Sequence, residues 1–180
     1  MGGKALGLIT CALALVAAVI PVQAGEQSGE TTIKAVAAWQ GQGRFYKATE
    51  TLTLFSGYFE GAMEAEDKKG ELHAANMICP AMLEVNTEDG RQQGWGRCVI
   101  VTAGGDRVYA GWSCTGTHLE GCKGPFTVSG GTGKFRSVSG ESTFLVRSSM
   151  AEYIVSIPEG GVTANFAGQA AWSALRYTMP

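Results

Sequence analysis

The chain has 180 residues, 45% of them hydrophobic, with 14 basic and 16 acidic side chains and a net charge of −2. This weak and scattered charge excludes the basic surface typical of nucleic-acid binding. The length corresponds to one domain with a substantial core.

The first 24 residues have the pattern of a secretory signal peptide. Lys4 precedes an apolar run over residues 5–20, Pro21 ends the run, and small residues up to Ala24 form a cleavage pattern. An uncleaved membrane anchor is the alternative, but the run is short for a full span. We therefore expect residues 1–24 to be removed after Ala24. The mature protein would be secreted or periplasmic, have a net charge of −3 and contain no further transmembrane span.

The rest of the chain divides into an arm and a strand-rich domain. Residues 25–48 are mixed, and within them 33–40 suit a short helix or a packed arm, so we predict an N-terminal arm over 25–48. From residue 49 to 180, short alternating segments are separated by Gly, Asp and Asn, which is typical of strands and turns. The predicted strands cover residues 49–56, 58–66, 71–79 with a continuation to 86, 93–102, 107–115, 125–129, 138–147, 152–157 and 162–173. About eight strands with hardly any helix indicate an all-β sandwich or closed barrel.

Four cysteines follow the signal peptide, and an even number in an exported chain indicates two disulfides. Three pairings exist, and we favour Cys79–Cys98 and Cys114–Cys122. The first pair brackets a turn nearly symmetrically, so its members can face each other across a hairpin. The second pair brackets a short loop. A metal site of Cys114, His118 and Cys122 would lack a fourth ligand and a familiar spacing, so we expect no metal.

A glycine-rich segment, SGGTGKF at residues 129–135, looks at first like a phosphate-binding loop. It fails that pattern, because Val128 stands where the first glycine is needed and Phe135 where a hydroxyl is needed. A tight turn between strands is the better interpretation, since glycine accepts positive φ.

The wider segment GPFTVSGGTGKFRSVSGESTF, residues 124–144, resembles the signature of the allene oxide cyclase and dirigent barrels. The resemblance implies an eight-stranded antiparallel barrel over residues 49–180, with the glycines in a tight connection between neighbouring strands and Phe135 closing one end. It also implies an exported, bacterial-type member without a known role. No catalytic residue of the plant families matches a position of this chain.

Five residues are candidates for a ligand site inside the barrel. Phe59, Met63 and Trp112 lie on predicted apolar strand faces, whereas His73 and Asn76 could orient a ligand or transfer a proton. The alternative for each is a structural role. Similarly, an inward Arg97 could bind a carboxylate ligand or Glu141, but an outward, solvated arginine is favoured.

These features support three interpretations, of which only one makes the protein an enzyme. The first is a barrel that binds a small hydrophobic molecule in its interior. The second is a cofactor-free cyclase or isomerase acting in the same cavity. The third is a structural or assembly protein with a filled barrel. No nucleophile elbow or cofactor motif is present in the sequence, so we expect no cofactor. Homo-oligomer formation is left open.

Overall fold

Eight antiparallel strands close into a barrel in the computed structural model, which describes residues 2, 29–150 and 157–179. Each strand pairs with its neighbours in chain order, and β8 pairs with β1. The strands are β1 Gly29–Lys47, β2 Leu52–Ala65, β3 Ala75–Asn86, β4 Arg91–Val101, β5 Arg107–Thr117, β6 Gly121–Gly131, β7 Gly140–Ser148 and β8 Val162–Met179. A 3₁₀ turn at Gly133–Phe135 is the helical element of these residues. The predicted antiparallel eight-stranded barrel is therefore confirmed.

In the part of the chain that the structure describes, no helix has the length and apolar character required to cross a membrane. The predicted signal peptide, residues 1–24, lies outside the described residues apart from Gly2, and its cleavage stays a prediction.

The first strand comes from the segment predicted to be a separate arm. Within residues 25–48, β1 begins at Gly29 and pairs with both β2 and β8, so the barrel does not begin at residue 49. Buried Ile33, Ala35, Ala37 and Trp39 alternate with exposed residues, which is the two-residue period of a strand. The two-residue period was not evident from the sequence, because several of these residues are alanines and alanine suits a helix equally well. The barrel boundary is corrected accordingly.

Other strands also differ from their predicted boundaries, and β6 and β8 are longer than predicted. Strand β2 continues through Gly57, which separated the predicted strands 49–56 and 58–66, and β3 begins at Ala75 rather than at residue 71. Strand β3 also continues past Pro80, which stays in register with Tyr58 of β2. The strand predicted over 152–157 lies outside the described residues except for Ile157.

Both predicted disulfides are present. Cys79–Cys98 joins β3 to β4 with a Cα–Cα distance of 4.1 Å, and Cys114–Cys122 joins β5 to β6 at 5.3 Å. All four cysteines are buried on the inner face of the wall. Such bonds are typical of proteins in oxidising compartments.

The glycine-rich segment is a connection between neighbouring strands, as predicted. Gly130 and Gly133 adopt positive φ values of 138° and 54°, which other residues rarely adopt. The backbone N–H of Thr132 donates to the carbonyl oxygen of Arg107 at 2.8 Å, and the Arg107 N–H donates to Thr132 Oγ1 at 2.9 Å. Phe135 is completely buried. The segment therefore fixes the β6–β7 connection against the start of β5.

Candidate functional site

The inner face of the wall is built from aromatic residues set beside glycines. In two consecutive rows across β8, β1 and β2 the two kinds of residue alternate like a checkerboard, Gly168–Trp39–Gly61 and then Phe166–Gly41–Phe59. A Cβ on Gly168 would lie 2.1 Å from Trp39 Cζ2, and a Cβ on Gly41 would lie 2.6 Å from Phe166 Cζ. Each ring therefore occupies the space that its neighbouring glycine leaves.

The rings form one continuous network through the barrel. Neighbouring ring centroids are between 4.8 and 6.2 Å apart, as in favourable aromatic pairs. The members are Trp39, Phe45, Phe55, Phe59, Trp112, Phe126, Phe144, Phe166 and Trp172. The cavity left among them has a volume of about 40 Å³. That is room for one or a few waters, whereas small-molecule pockets measure roughly 300–1,000 Å³.

The structure brings three of the five predicted ligand residues to the interior. Phe59, Met63 and Trp112 face inward, and the rings of Phe59 and Trp112 lie 6.2 Å apart. His73 instead lies in the turn before β3, with Nδ1 3.1 Å from Glu64 Oε2, and Asn76 is exposed on the outer face. The later start of β3 explains the difference, because His73 no longer belongs to a strand.

Several concave surfaces of about 520–690 Å³ lie on the outside of the molecule, and one of them is lined by the exposed Trp95. This open groove of about 690 Å³, which we call the outer groove, crosses β2 to β6. Its lining residues are Ser56, Gly57, Pro80, Ala81, Met82, Trp95, Gly96, Arg97, Gly111, Trp112, Ser113, Pro125 and Thr127.

Side-chain size explains why this part of the wall is concave. Small residues on β5 and β6, such as Gly111, Ser113 and Thr127, form the floor. Trp95 and Met82 face each other across β4 and β3 and rise beside it, with 41% and 42% of their surfaces exposed. The outer groove thus presents an indole and a thioether to solvent beside a low floor.

Further large apolar side chains extend the outer groove toward one end of the barrel. Tyr58, Ile78 and Tyr109 are each exposed by 37–44%, and we call these three residues the apolar shoulder. Tyr58 pairs with Pro80 of the outer groove, while Ile78 and Tyr109 both pair with Val99. The shoulder and the groove are therefore parts of one outer surface.

Arg97 is the charged residue among those lining the outer groove. It points outward and is exposed, as the favoured sequence interpretation predicted. A Cβ on its cross-strand partner Gly111 would lie 2.7 Å from Arg97 Nη1, so the guanidinium rests over the bare backbone. Glu141, the other predicted contact, lies on β7, with β5 and β6 between the two residues. In the described ranges, Arg97 has no ion-pair partner.

Trp172 and Tyr177 are buried aromatic residues that each carry a polar group. Trp172 Nε1 has no hydrogen-bond partner within the described residues. Burial raises the pKa of the Tyr177 hydroxyl, and the charges of Glu71 and Asp67 raise that pKa further. Across residues 29–150 and 157–179, no group of three or more His, Cys, Asp or Glu is placed to hold a metal ion. Cys114 and Cys122, two residues of the metal site considered above, are bonded to each other.

Taken together, these features define an antiparallel β-barrel with an aromatic interior and a groove on its outer wall. No family model and no curated protein matches the chain. Among solved structures the chain is similar to the pterocarpan synthase dirigent protein GePTS1, with 6% identity and a TM-score of 0.46 over 85% of this chain and 93% of that one. The barrel itself is established by the strand pairing of this chain. Membership of the allene oxide cyclase branch, or of a bacterial type, stays a prediction.

Proposed function

We propose that this protein is a binding protein whose filled barrel serves as a scaffold and whose ligand occupies the outer groove. Two observations carry this proposal: the interior has about 40 Å³ left, and the outer groove sets the exposed Trp95 and Met82 beside a low floor. The proposal joins two of the sequence interpretations, the binding module and the filled barrel. It also includes export, for which the predicted signal peptide and the two disulfides are the support.

The lining of the outer groove favours a small molecule with a flat apolar or aromatic body. An exposed indole such as that of Trp95 offers a stacking surface, and Met82 opposite can adapt its shape to a ligand. The low floor formed by Gly111 and Ser113 lets such a body approach the backbone. Burial of these surfaces contributes about 25 cal/mol per Å².

A neutral hydrophobic dye tests the proposal. We expect N-phenyl-1-naphthylamine to bind the protein and its fluorescence to rise. Trp95→Ala should weaken that binding roughly tenfold or more, because the main stacking surface is lost. Tyr46→Ala is the matched control, since Tyr46 is equally exposed but lies on β1, outside the outer groove. Equal binding by the wild type and Trp95→Ala would contradict the proposal.

A hydrophobic ligand inside the barrel is the second candidate, and one observation favours it. Trp172 Nε1 is a buried donor without a partner in the described residues, and Trp172 lines the residual interior cavity. A ligand carrying an acceptor could satisfy that donor, provided that Phe59 and Trp112 move to make room. A cofactor-free isomerase would need the same rearrangement. Dye binding that is abolished by Phe59→Leu and unchanged by Trp95→Ala would support the interior instead.

A further inference from the structure

We propose that the outer groove selects ligands that combine an aromatic body with a carboxylate, and that Arg97 binds the carboxylate. This inference rests on the proposed function, because it names the ligand class of the same site. It depends on three properties of the groove, which are its charge, the placement of Arg97 and its limited area.

The charge of the outer groove is opposite to that of the whole protein. The chain carries a net charge of −2, whereas the outer groove is positive, because Arg97 is the charged residue among those that line it. The ion pairs of the described residues lie elsewhere, at Glu64, Glu66, Glu71 and Asp89. A guanidinium without a carboxylate partner, set among apolar and small residues, is complementary to an anionic ligand. Its fork of N–H donors suits the two oxygens of a carboxylate.

The position of Arg97 places charge and stacking surface side by side. Trp95 and Arg97 are two residues apart on β4, so their side chains leave the same face of the wall. The bare backbone of Gly111 lets the guanidinium rest low against β5, next to the floor of the groove. A planar aromatic carboxylate could therefore stack on Trp95 while its carboxylate meets Arg97.

The size of the apolar surface favours a small ligand over a second copy of the chain. Five large side chains, Tyr58, Ile78, Met82, Trp95 and Tyr109, are each about two-fifths exposed. At about 200 Å² for a large side chain, they expose on the order of 400 Å². A stable protein–protein interface buries about 800 Å² on each partner. A groove of about 690 Å³ lies, by contrast, within the usual range of ligand sites.

A pair of probes that differ only in charge tests the inference on the purified protein. Calorimetric titration would compare 2-naphthoate with neutral 2-naphthamide, while NMR follows the indole N–H signal of Trp95. We expect the wild type to bind naphthoate roughly tenfold more tightly than naphthamide, as a charge-assisted hydrogen bond implies. Arg97→Gln should remove that preference and leave naphthamide binding within about twofold.

Two further variants separate the charge of Arg97 from its placement. Gly111→Ala keeps the arginine but puts a Cβ 2.7 Å from the present position of Nη1, so the guanidinium must move and naphthoate binding should weaken several-fold. Arg176→Gln is the control, because Arg176 is an exposed arginine of β8, outside the outer groove, and it should change nothing.

The outcomes distinguish this inference from the proposed function. Equal binding of both probes, with a shift of the Trp95 signal, would overturn the carboxylate selectivity and leave the groove as the binding site. Absence of any Trp95 shift with either probe would overturn both. Light scattering that shows a dimer which Trp95→Ala dissociates would mean that a second copy covers the outer groove, and would overturn the small-molecule inference.

Discussion

Inside the barrel, Gly168 lies directly against the ring of Trp39, whereas on the outer wall Gly111 has the guanidinium of Arg97 above it. Both glycines belong to strands, and both remove a side chain from a curved wall. On the inner face, a rigid ring anchored in the neighbouring strand fills the space. On the outer face, a flexible charged side chain borders the space and leaves it open. In this barrel, glycine leaves open space where no neighbouring ring reaches it, as at Gly111, and none where a ring does, as at Gly168.

Loss of a disulfide should lower stability more than any other change, because each bridge constrains the unfolded chain. Replacing Cys79 and Cys98 together by Ala should lower the free energy of unfolding by about 2–4 kcal/mol. Loss of Cys114–Cys122 should cost on the order of 0.5–1 kcal/mol less in the chain-entropy description, since its sequence separation is 8 residues rather than 19. Urea unfolding of the two double variants measures both values, and a reversed order would contradict the entropic explanation.

A matched pair of glycine substitutions tests the comparison itself. Gly168→Ala should destabilise the protein by about 1–3 kcal/mol, because its Cβ would overlap Trp39 Cζ2 at 2.1 Å and the Arg147 carbonyl oxygen at 2.3 Å. Gly111→Ala should change stability by less than about 0.5 kcal/mol, since a surface side chain can move away. Thermal unfolding of the two variants gives the answer. Equal losses would mean that the two faces do not differ.

Tryptophan quenching distinguishes the two faces without changing the fold. Of the four tryptophans, Trp95 is 41% exposed and the other three, Trp39, Trp112 and Trp172, are exposed by 9% or less. Acrylamide should therefore quench one fraction of the emission readily, and Trp95→Phe should remove that fraction. A ligand in the outer groove should protect it. A readily quenched fraction that persists in Trp95→Phe would show that the interior is open to solvent.

The smallest expected effect on stability is that of Tyr177, and it appears only at alkaline pH. Burial raises the pKa of its hydroxyl above 10.0 in the folded protein, so the unfolded chain loses the proton first as pH rises. The contribution of Tyr177 to stability is therefore complete below pH 10 and decreases as pH rises through the folded-state pKa. Tyr177→Phe should make the unfolding free energy fall less steeply between pH 9 and 11. Parallel pH profiles would contradict the assignment.

Much of the barrel could be predicted because strand alternation and turns are local features. The alternation from Val108 to Cys114 placed Trp112 on an apolar strand face, and the turn between Cys79 and Cys98 indicated their pairing. Strand β1 was missed because its inward alanines also suit a helix. A local pattern that fits only a strand gave a correct prediction, whereas the alanines of β1 fit a helix as well as a strand.

The filling of the interior could not be predicted, because it depends on register between distant strands. At Gly61, for example, the pairing of β1 with β2 puts Trp39 beside the glycine, and the sequence of β2 alone does not show this. The outer groove has a similar origin. The outward Met82 and Trp95 are visible as apolar residues in alternating strands, but only the barrel shows that they face each other beside a bare glycine.

The pairing of β1 with β8 has a consequence for the order of folding. Gly29 is in register with Met179, so the first strand of the barrel needs the last one as a partner. Hairpins among β2 to β7 can form between strands that are neighbours in the chain. The pairing of β1 with β8, by contrast, must wait until β8 is complete. Closing so long a loop costs entropy before any contact is gained, which is typical of slow-folding β proteins. Until then, the outer edge of β1 stays unpaired, and a newly made chain would have to be protected from aggregation at that edge.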